Sequence, residues 1–276
     1  MKAMILAAGL GTRLKPLTDT RPKALVELSG RTLLEITLTR LRTFGITEFI
    51  INVHHFADQV IDYLKSHNNF GMRIEISREE VLLDTGGGLK RAAWFFLENS
   101  SPDDPARRGS GQTDEPFLLH NVDVISNIDL AQMLQFHKDN QALATLAVQS
   151  RESSRQLLFN NNLQLRGRRI DNKNTVIPVP QGVIPSVARD QLLPAERTAS
   201  QPLQALAFSG IHIISPHLLP LLTEEGIFSI IDSYLRLAAQ NEKILAFRAE
   251  QYYWRDLGRP ADLTQAALDL QQKLPL

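Results

Sequence analysis

Gly9, Gly11, Arg13 and Lys23 fall within one short run, Gly-Leu-Gly-Thr-Arg-Leu-Lys-Pro-Leu-Thr-Asp-Thr-Arg-Pro-Lys, directly after an apolar stretch. Glycines let backbone N–H groups approach an anion where a Cβ would block contact, and positive φ costs them little. Arg13 and Lys23 add fixed charge. Together these are the parts needed to hold a nucleoside triphosphate by its phosphates. A Walker A loop would need Gly-x4-Gly-Lys-Ser/Thr, which is absent, and a dinucleotide loop would need glycine where Leu14 stands. The plain alternative, a strand-to-helix turn with solvated cations, accounts for the Gly-x-Gly alone but not for the whole run.

Two further groups have the right chemistry. Asp123 lies just beyond the apolar run Phe117 to His120, where a carboxylate points into the cleft at a sheet's carboxyl edge. Thr85-Gly86-Gly87-Gly88 opens a helical pattern that runs through Lys90 to Leu97. Three consecutive glycines are costly in backbone entropy, and flat, close approach to a base is a natural reason for them. A tight turn is the alternative.

The elements that must position these residues follow from periodicity. Lys2 to Ala8 reads as a short buried strand, Thr32 to Phe44 and Ala57 to His67 as helices, and Glu48 to Val53 and Met72 to Ser77 as strands. That order predicts right-handed βαβ units in an α/β fold: a doubly wound, mostly parallel, Rossmann-like sheet with ligands at the strands' carboxyl ends. Residues 99–116 hold almost everything that resists packing and are expected to form a mobile surface insertion. After about residue 150 the pattern changes. Asn160-Asn161-Asn162 between two apolar runs predicts a hairpin, followed by a strand Ala207 to Ile214, a helix Ile230 to Ala239, a strand Ile244 to Arg248 and a helix opening at Pro260. The expectation is one domain over residues 1–276, with a nucleotide-binding half, 1–150, and a smaller lobe, 151–276.

Composition narrows the function classes. At 276 residues and 43% hydrophobic content the chain buries a substantial core. Thirty basic residues balance thirty acidic ones, so neither nucleic acid nor an anionic membrane is an expected partner. The absence of cysteine removes disulfides, thiolate catalysis and sulfur-ligated metal, and suits a reducing compartment. No apolar run approaches the ~18 residues needed to span a bilayer. The cytoplasm is the simplest location, and a monomer or homodimer the simplest assembly.

The run from Gly9 to Thr18 with Pro22-Lys23 closely resembles the signature of the sugar-1-phosphate nucleotidyltransferases. Leu83-Asp-Thr-Gly-Gly-Gly88, Phe117-Leu-Leu-His-Asn-Val-Asp-Val124, Phe208-Ser-Gly-Ile211 and Trp254-Arg-Asp-Leu-Gly-Arg-Pro260 continue it in order along nearly the whole chain. The resemblance implies transfer of a nucleoside monophosphate from UTP or GTP to a sugar 1-phosphate, with Mg²⁺ as cofactor. It places Arg13 on the β- and γ-phosphates and Lys23 at the reaction centre, and makes Asp123 and Asp256 the Mg²⁺ ligands, each with turn or helix capping as the alternative. It puts Leu6, Ala7, Ala8, Gly9, Gly11, Thr12, Thr85, Gly86, Gly87, Gly88 and Asn121 around the nucleotide, and Ser209 and Gly210 at the sugar, and it assigns sugar binding to the smaller lobe, 151–276.

The blocks look most similar to the N-acetylmuramate 1-phosphate uridylyltransferases, with mannose or heptose 1-phosphate guanylyltransferases close behind. A non-catalytic, nucleotide-sugar-binding regulatory subunit is a further possibility. Two departures stand out: Val122 replaces the small residue common before the metal aspartate, and the usual Glu-Lys-Pro block is missing, leaving Lys173 or Arg168 as substitutes for its lysine. Arg155, Arg166, Arg168 and Arg169 are candidates for a sugar carboxylate. His54, His55 and Trp254 read as structural, and the chain's length leaves no room for the β-helix of acyltransferase-fused relatives.

Overall fold

The computed structural model of the protein describes residues 1–97, 114–176 and 202–271. The predicted insertion lies outside these residues except for its last three positions. The first half contains β1 (Ala3–Leu6), β2 (Glu27–Leu28), β3 (Arg31–Thr32), α1 (Leu33–Thr43), β4 (Glu48–Val53), α2 (Ala57–Ser66), β5 (Arg73–Arg78), α3 (Asp84–Arg91), α4 (Ala93–Leu97), β6 (Phe117–Asn121), β7 (Val124–Ser126), α5 (Leu130–Asp139) and β8 (Ala144–Gln149). β1 sits between β4 and β6, parallel to both, and β5 extends the parallel set beyond β4. Alternate side chains along these strands face opposite layers. Met4 and Ile50 pack with Leu89, Phe95 and Phe96 of α3 and α4, whereas Ile5 and Ile51 pack with Leu34 and Leu38 of α1 and Val60 of α2. Helices therefore cover both faces, as the doubly wound reading requires. α1 starts where predicted because the Thr32 hydroxyl accepts the Glu35 N–H at 3.1 Å.

The second half contains β9 (Arg155–Phe159), β10 (Leu165–Ile170), β11 (Lys173–Val176), β12 (Gln204–Ile214), α6 (Ile230–Ala239), β13 (Ile244–Arg248), β14 (Trp254–Asp256) and α7 (Pro260–Gln271). The long β12 runs antiparallel to β6, β8 and β9 and joins the two halves into one sheet. Its register shifts between Phe208 and His212, with Gly210 at φ 74°, so Ser209 and Gly210 bulge at the cleft edge. The predicted hairpin is β9–β10, and Asn160 Oδ1 tightens its turn by accepting from the N–H groups of Asn162 and Gln164. A small second sheet pairs β14 with β7, placing Asp256 opposite Val124. Among the described residues no helix is long and apolar enough to cross a membrane.

Candidate active site

β1 ends two residues earlier than its apolar run because the backbone peels away after Leu6 to form the loop. The Ala7 N–H, which would otherwise be orphaned, donates to Asn52 Oδ1 at 2.8 Å. Asn52 Nδ2 donates to Glu79 Oε1 at 2.7 Å, and Glu79 Oε2 accepts the Leu83 N–H at 3.0 Å. This buried Asn52–Glu79 pair ties the loop to the entrance of α3. Gly11 (φ 65°) adopts a left-handed turn, and a Cβ there would lie 2.9 Å from the Thr18 methyl, whose hydroxyl donates to Gly11 O. A Cβ on Gly9 would meet nothing within 4 Å. Thr12 and Arg13 are exposed beyond it. The loop borders a cavity of about 340 Å³, lined also by Lys23, Thr85, Asn121 and Asp123.

Four charged groups converge at this cavity's edge. The Lys23 ammonium donates to Asp123 Oδ2. Both side chains are only 12% exposed, and this burial pulls the Lys23 ammonium down to about 8, with Asp256 opposing the shift and Arg13 adding to it. Arg13 Nη2 lies 3.8 Å from Asp256 Oδ1, which also accepts the Gly258 N–H at 2.7 Å. A Cβ on Gly258 would come within 2.5 Å of both partners, so only glycine leaves room for the pair. The β7–β14 ladder continues in Leu257 N–H to Asp123 O, 2.7 Å, and this carries Asp256 to Asp123 from the far end of the sequence. Among the described residues no three His, Cys, Asp or Glu cluster as a complete metal site. The two aspartates suit a divalent ion whose remaining ligands are phosphate oxygens and water.

The glycine run takes a different position from the one expected. Gly86, Gly87 and Gly88 lie inside α3, buried, not in an open loop. The N–H groups of Gly86 and Gly87 donate to Phe228 O at 3.0 and 3.3 Å. A Cβ on Gly86 would strike the Phe228 ring, one on Gly87 would sit 2.5 Å from Gly226 O, and one on Gly88 would sit 2.8 Å from Glu79 Oε1. Their backbone does come close to something: the segment leading into α6 for Gly86 and Gly87, and the Asn52–Glu79 pair for Gly88. Thr85 is the member of the run that lines the cavity, and its hydroxyl also accepts the Ile230 N–H at the start of α6.

Beyond Asn121 and Thr85, which border both spaces, opens a cleft of about 1330 Å³. Ser209 and Gly210 stand at its edge with Arg13, Arg151, Arg155, Arg168, Arg169 and Arg259. Arg168 is paired with Asp232 at 2.6 Å and Arg169 donates to Asn174 at 2.7 Å. Arg166 and Lys173 do not line the cleft. Trp254, expected in the core, forms part of the wall, with Nε1 donating to Ser209 O at 2.7 Å and the Arg151 guanidinium 3.9 Å above its ring. His54 is structural as expected, its Nδ1 2.9 Å from Glu79 O. Asn52, Glu79 and Arg151 were not picked out from sequence. Asn52 had a local signal, being the one polar residue within the apolar stretch Phe49 to Val53 of β4.

Residues 2–157 match the family model described as Nucleotidyl transferase. The chain belongs to this family. It is 28% identical over 266 residues to a mannose-1-phosphate guanyltransferase of Yarrowia lipolytica, covering 95% of this chain and 62% of that protein. It thus spans about three-fifths of the length of such relatives. A 93-residue stretch, 33% of this chain and 38% of the relative, is 50% identical to an N-acetylmuramate alpha-1-phosphate uridylyltransferase of Caulobacter vibrioides. The fold matches HddC from Yersinia pseudotuberculosis complexed with GMP-PN (TM-score 0.68, 20% identity, 98% of this chain and 99% of that one). It also matches a UDP-glucose pyrophosphorylase complexed with UDP-glucose (TM-score 0.69, 18% identity, 99% and 98%).

Proposed function

We propose that this protein transfers a nucleoside monophosphate from a nucleoside triphosphate to a sugar 1-phosphate. The observation that carries the reading is the convergence of Arg13, Lys23, Asp123 and Asp256 between a small cavity and a large one. An oxygen of the sugar phosphate attacks the α-phosphorus, the bond from that phosphorus to the bridging oxygen breaks, and pyrophosphate leaves. The attacking oxygen is already ionised, so no strong base is needed, and the protein's task is alignment and charge neutralisation.

Leu6 to Gly9, with Thr85 and Asn121, hold the nucleoside, while Gly11, Thr12 and Arg13 take the β- and γ-phosphates. Lys23 exchanges its Asp123 partner for phosphate oxygens at the reaction centre. Asp123 and Asp256 would hold Mg²⁺, which when bound neutralises the phosphates and fixes their geometry. Gly86, Gly87 and Gly88 serve the nucleotide indirectly, by seating α3 so that Thr85 faces the cavity. Ser209 and Gly210 border the sugar.

For the substrates we favour UTP with N-acetylmuramate 1-phosphate. The arginine-lined cleft suits a sugar carrying a carboxylate besides its phosphate, and the 50% identical stretch points the same way. The near full-length similarity to a mannose-1-phosphate guanyltransferase favours a second reading, GTP with mannose 1-phosphate. The presence of all four charged groups weighs against a non-catalytic regulatory subunit. Pyrophosphate release with UTP and GTP, each offered N-acetylmuramate 1-phosphate and mannose 1-phosphate, tests this. Turnover confined to GTP with mannose 1-phosphate selects the second reading, and no turnover with any pair discards the reaction.

A further inference from the structure

We propose that Arg151, held flat on Trp254, is the cation that seats the phosphate of the acceptor sugar. The proposal rests on the transfer reaction above and supplies the residue that stands in for the missing Glu-Lys-Pro lysine. The Arg151 guanidinium lies 3.9 Å from the centre of the Trp254 ring. Among the described residues it makes one hydrogen bond, Nη2 to Phe208 O at 2.8 Å, and no salt bridge. Its Nε is buried and has no hydrogen-bond partner among the described residues. A half-buried guanidinium with unused N–H groups and no carboxylate within salt-bridge distance has its desolvation only partly offset. A phosphate in the cleft would accept from those groups and offset that cost, and the fork of a guanidinium suits two phosphate oxygens at once.

The position fits a phosphate at the reaction centre better than a distal sugar group. Trp254 and Asp256 are two apart on β14 and share one face of that strand. Arg151 lines the same cleft as Arg13 and Asp256, so the guanidinium lies on the site's charged side. Two other arginines of the cleft are already engaged, Arg168 by Asp232 and Arg169 by Asn174. The indole is itself fixed by its bond to Ser209 O, at the β12 bulge. Trp254 is therefore a positioning residue that pre-orders a long side chain before ligand arrives.

The test uses Arg151→Ala, Arg151→Gln, which keeps a donor for Phe208 O, and Trp254→Leu. KM is measured for each substrate with the other saturating. Arg151→Ala should raise KM for the sugar 1-phosphate ~10-fold or more and leave KM for the triphosphate within about twofold. Added guanidinium ion should recover part of the loss, and Trp254→Leu should shift the same constant less. An unchanged KM for the sugar phosphate in Arg151 variants that melt like wild type overturns the inference, as does an equal rise in both constants.

A binding measurement separates this from the reaction itself. Trp254 is one of two tryptophans. In a Trp94→Phe background its emission reports titration with N-acetylmuramate 1-phosphate, mannose 1-phosphate or inorganic phosphate. Phosphate-dependent quenching that weakens in Arg151→Gln supports the site even if no pair of substrates turns over. Absent or unaltered quenching overturns it.

Discussion

The two cavities are built on different plans. Around the 340 Å³ space much of the wall is main chain and short side chains with the buried Lys23–Asp123 pair, fixed by parallel strands, the Asn52–Glu79 pair and the left-handed turn at Gly11. Around the 1330 Å³ cleft they are arginines reaching from hairpin strands and loops across open space. A site made of backbone cannot be edited one residue at a time without disturbing the fold, whereas one made of long side chains can. In the proposed reaction the triphosphate, common to every reaction of this class, would meet the first plan, and the sugar, which distinguishes one reaction from another, the second.

The sharpest break should come at the boundary between them. Arg13→Ala, Lys23→Ala and Asp123→Asn should each lower pyrophosphate release by about 10²-fold or more, as loss of groups acting on transition-state charge does. Their stabilities should part company. Arg13 is 56% exposed on its side chain and should cost ~0–1 kcal/mol in urea denaturation, whereas removing Lys23 strands the buried Asp123 and should cost ~1–3 kcal/mol. Equal stabilities for the two would erase the distinction.

Within the first plan, two glycines should respond oppositely. Gly86→Ala drives a methyl into the Phe228 ring and should lose ~1–3 kcal/mol of stability. Gly9→Ala has open space and should leave the denaturation midpoint alone while weakening triphosphate binding. A stable Gly86→Ala protein would return the run to its turn role.

The seam between the halves has its own signature. Burial holds the imidazoles of His120 and His137 down at about 4 and that of His212 at about 3, so the folded state resists their protonation. The unfolded chain takes up these protons first, at its ordinary His range near 6.5. The stability they contribute is therefore complete above about pH 6.5 and drains away as pH falls toward 4, by ~1.4 kcal/mol per pH unit for each group. Thermal melts of His137→Asn between pH 7 and 5 should show a slope reduced by one such share. The smallest effects belong to the wide cleft's rim: Arg155→Ala and Arg169→Ala should change KM for the sugar phosphate by only about 2- to 5-fold, consistent with exposed cations.

Much of the first plan was legible because it is local. A β-branched run marked β4, helical spacing marked α1 and α2, and the Gly9–Lys23 run marked the loop now proposed to hold phosphates. Asp123 stood out at a strand's end. Asp256 had no such local mark and was reached only through family resemblance, because its place depends on β14 finding β7. Arg151 and Trp254 are separated by most of the second half, and neither residue type signals the other. The triple glycine was half legible: it does mark a close approach, but composition cannot say that the neighbour is Phe228 and not a base. The burial of Lys23 was not legible, since sequence shows a charge but not the Asp123 carboxylate that accompanies it.

The short β7–β14 ladder acts as a latch, and it has a temporal consequence. The strands around β1 can pair as soon as residues up to Asn121 exist, but Asp256 reaches Asp123 only when the chain has been made almost to α7 and β14 has docked. Until then Lys23 faces Asp123 alone, and Arg13 lacks its carboxylate partner. A partly synthesised or clipped chain ending before Trp254 would therefore carry the phosphate loop without the second aspartate of the proposed metal pair. It would lack the full set of charged groups on which the proposed transfer depends, so competence for that reaction would wait on the docking of β14.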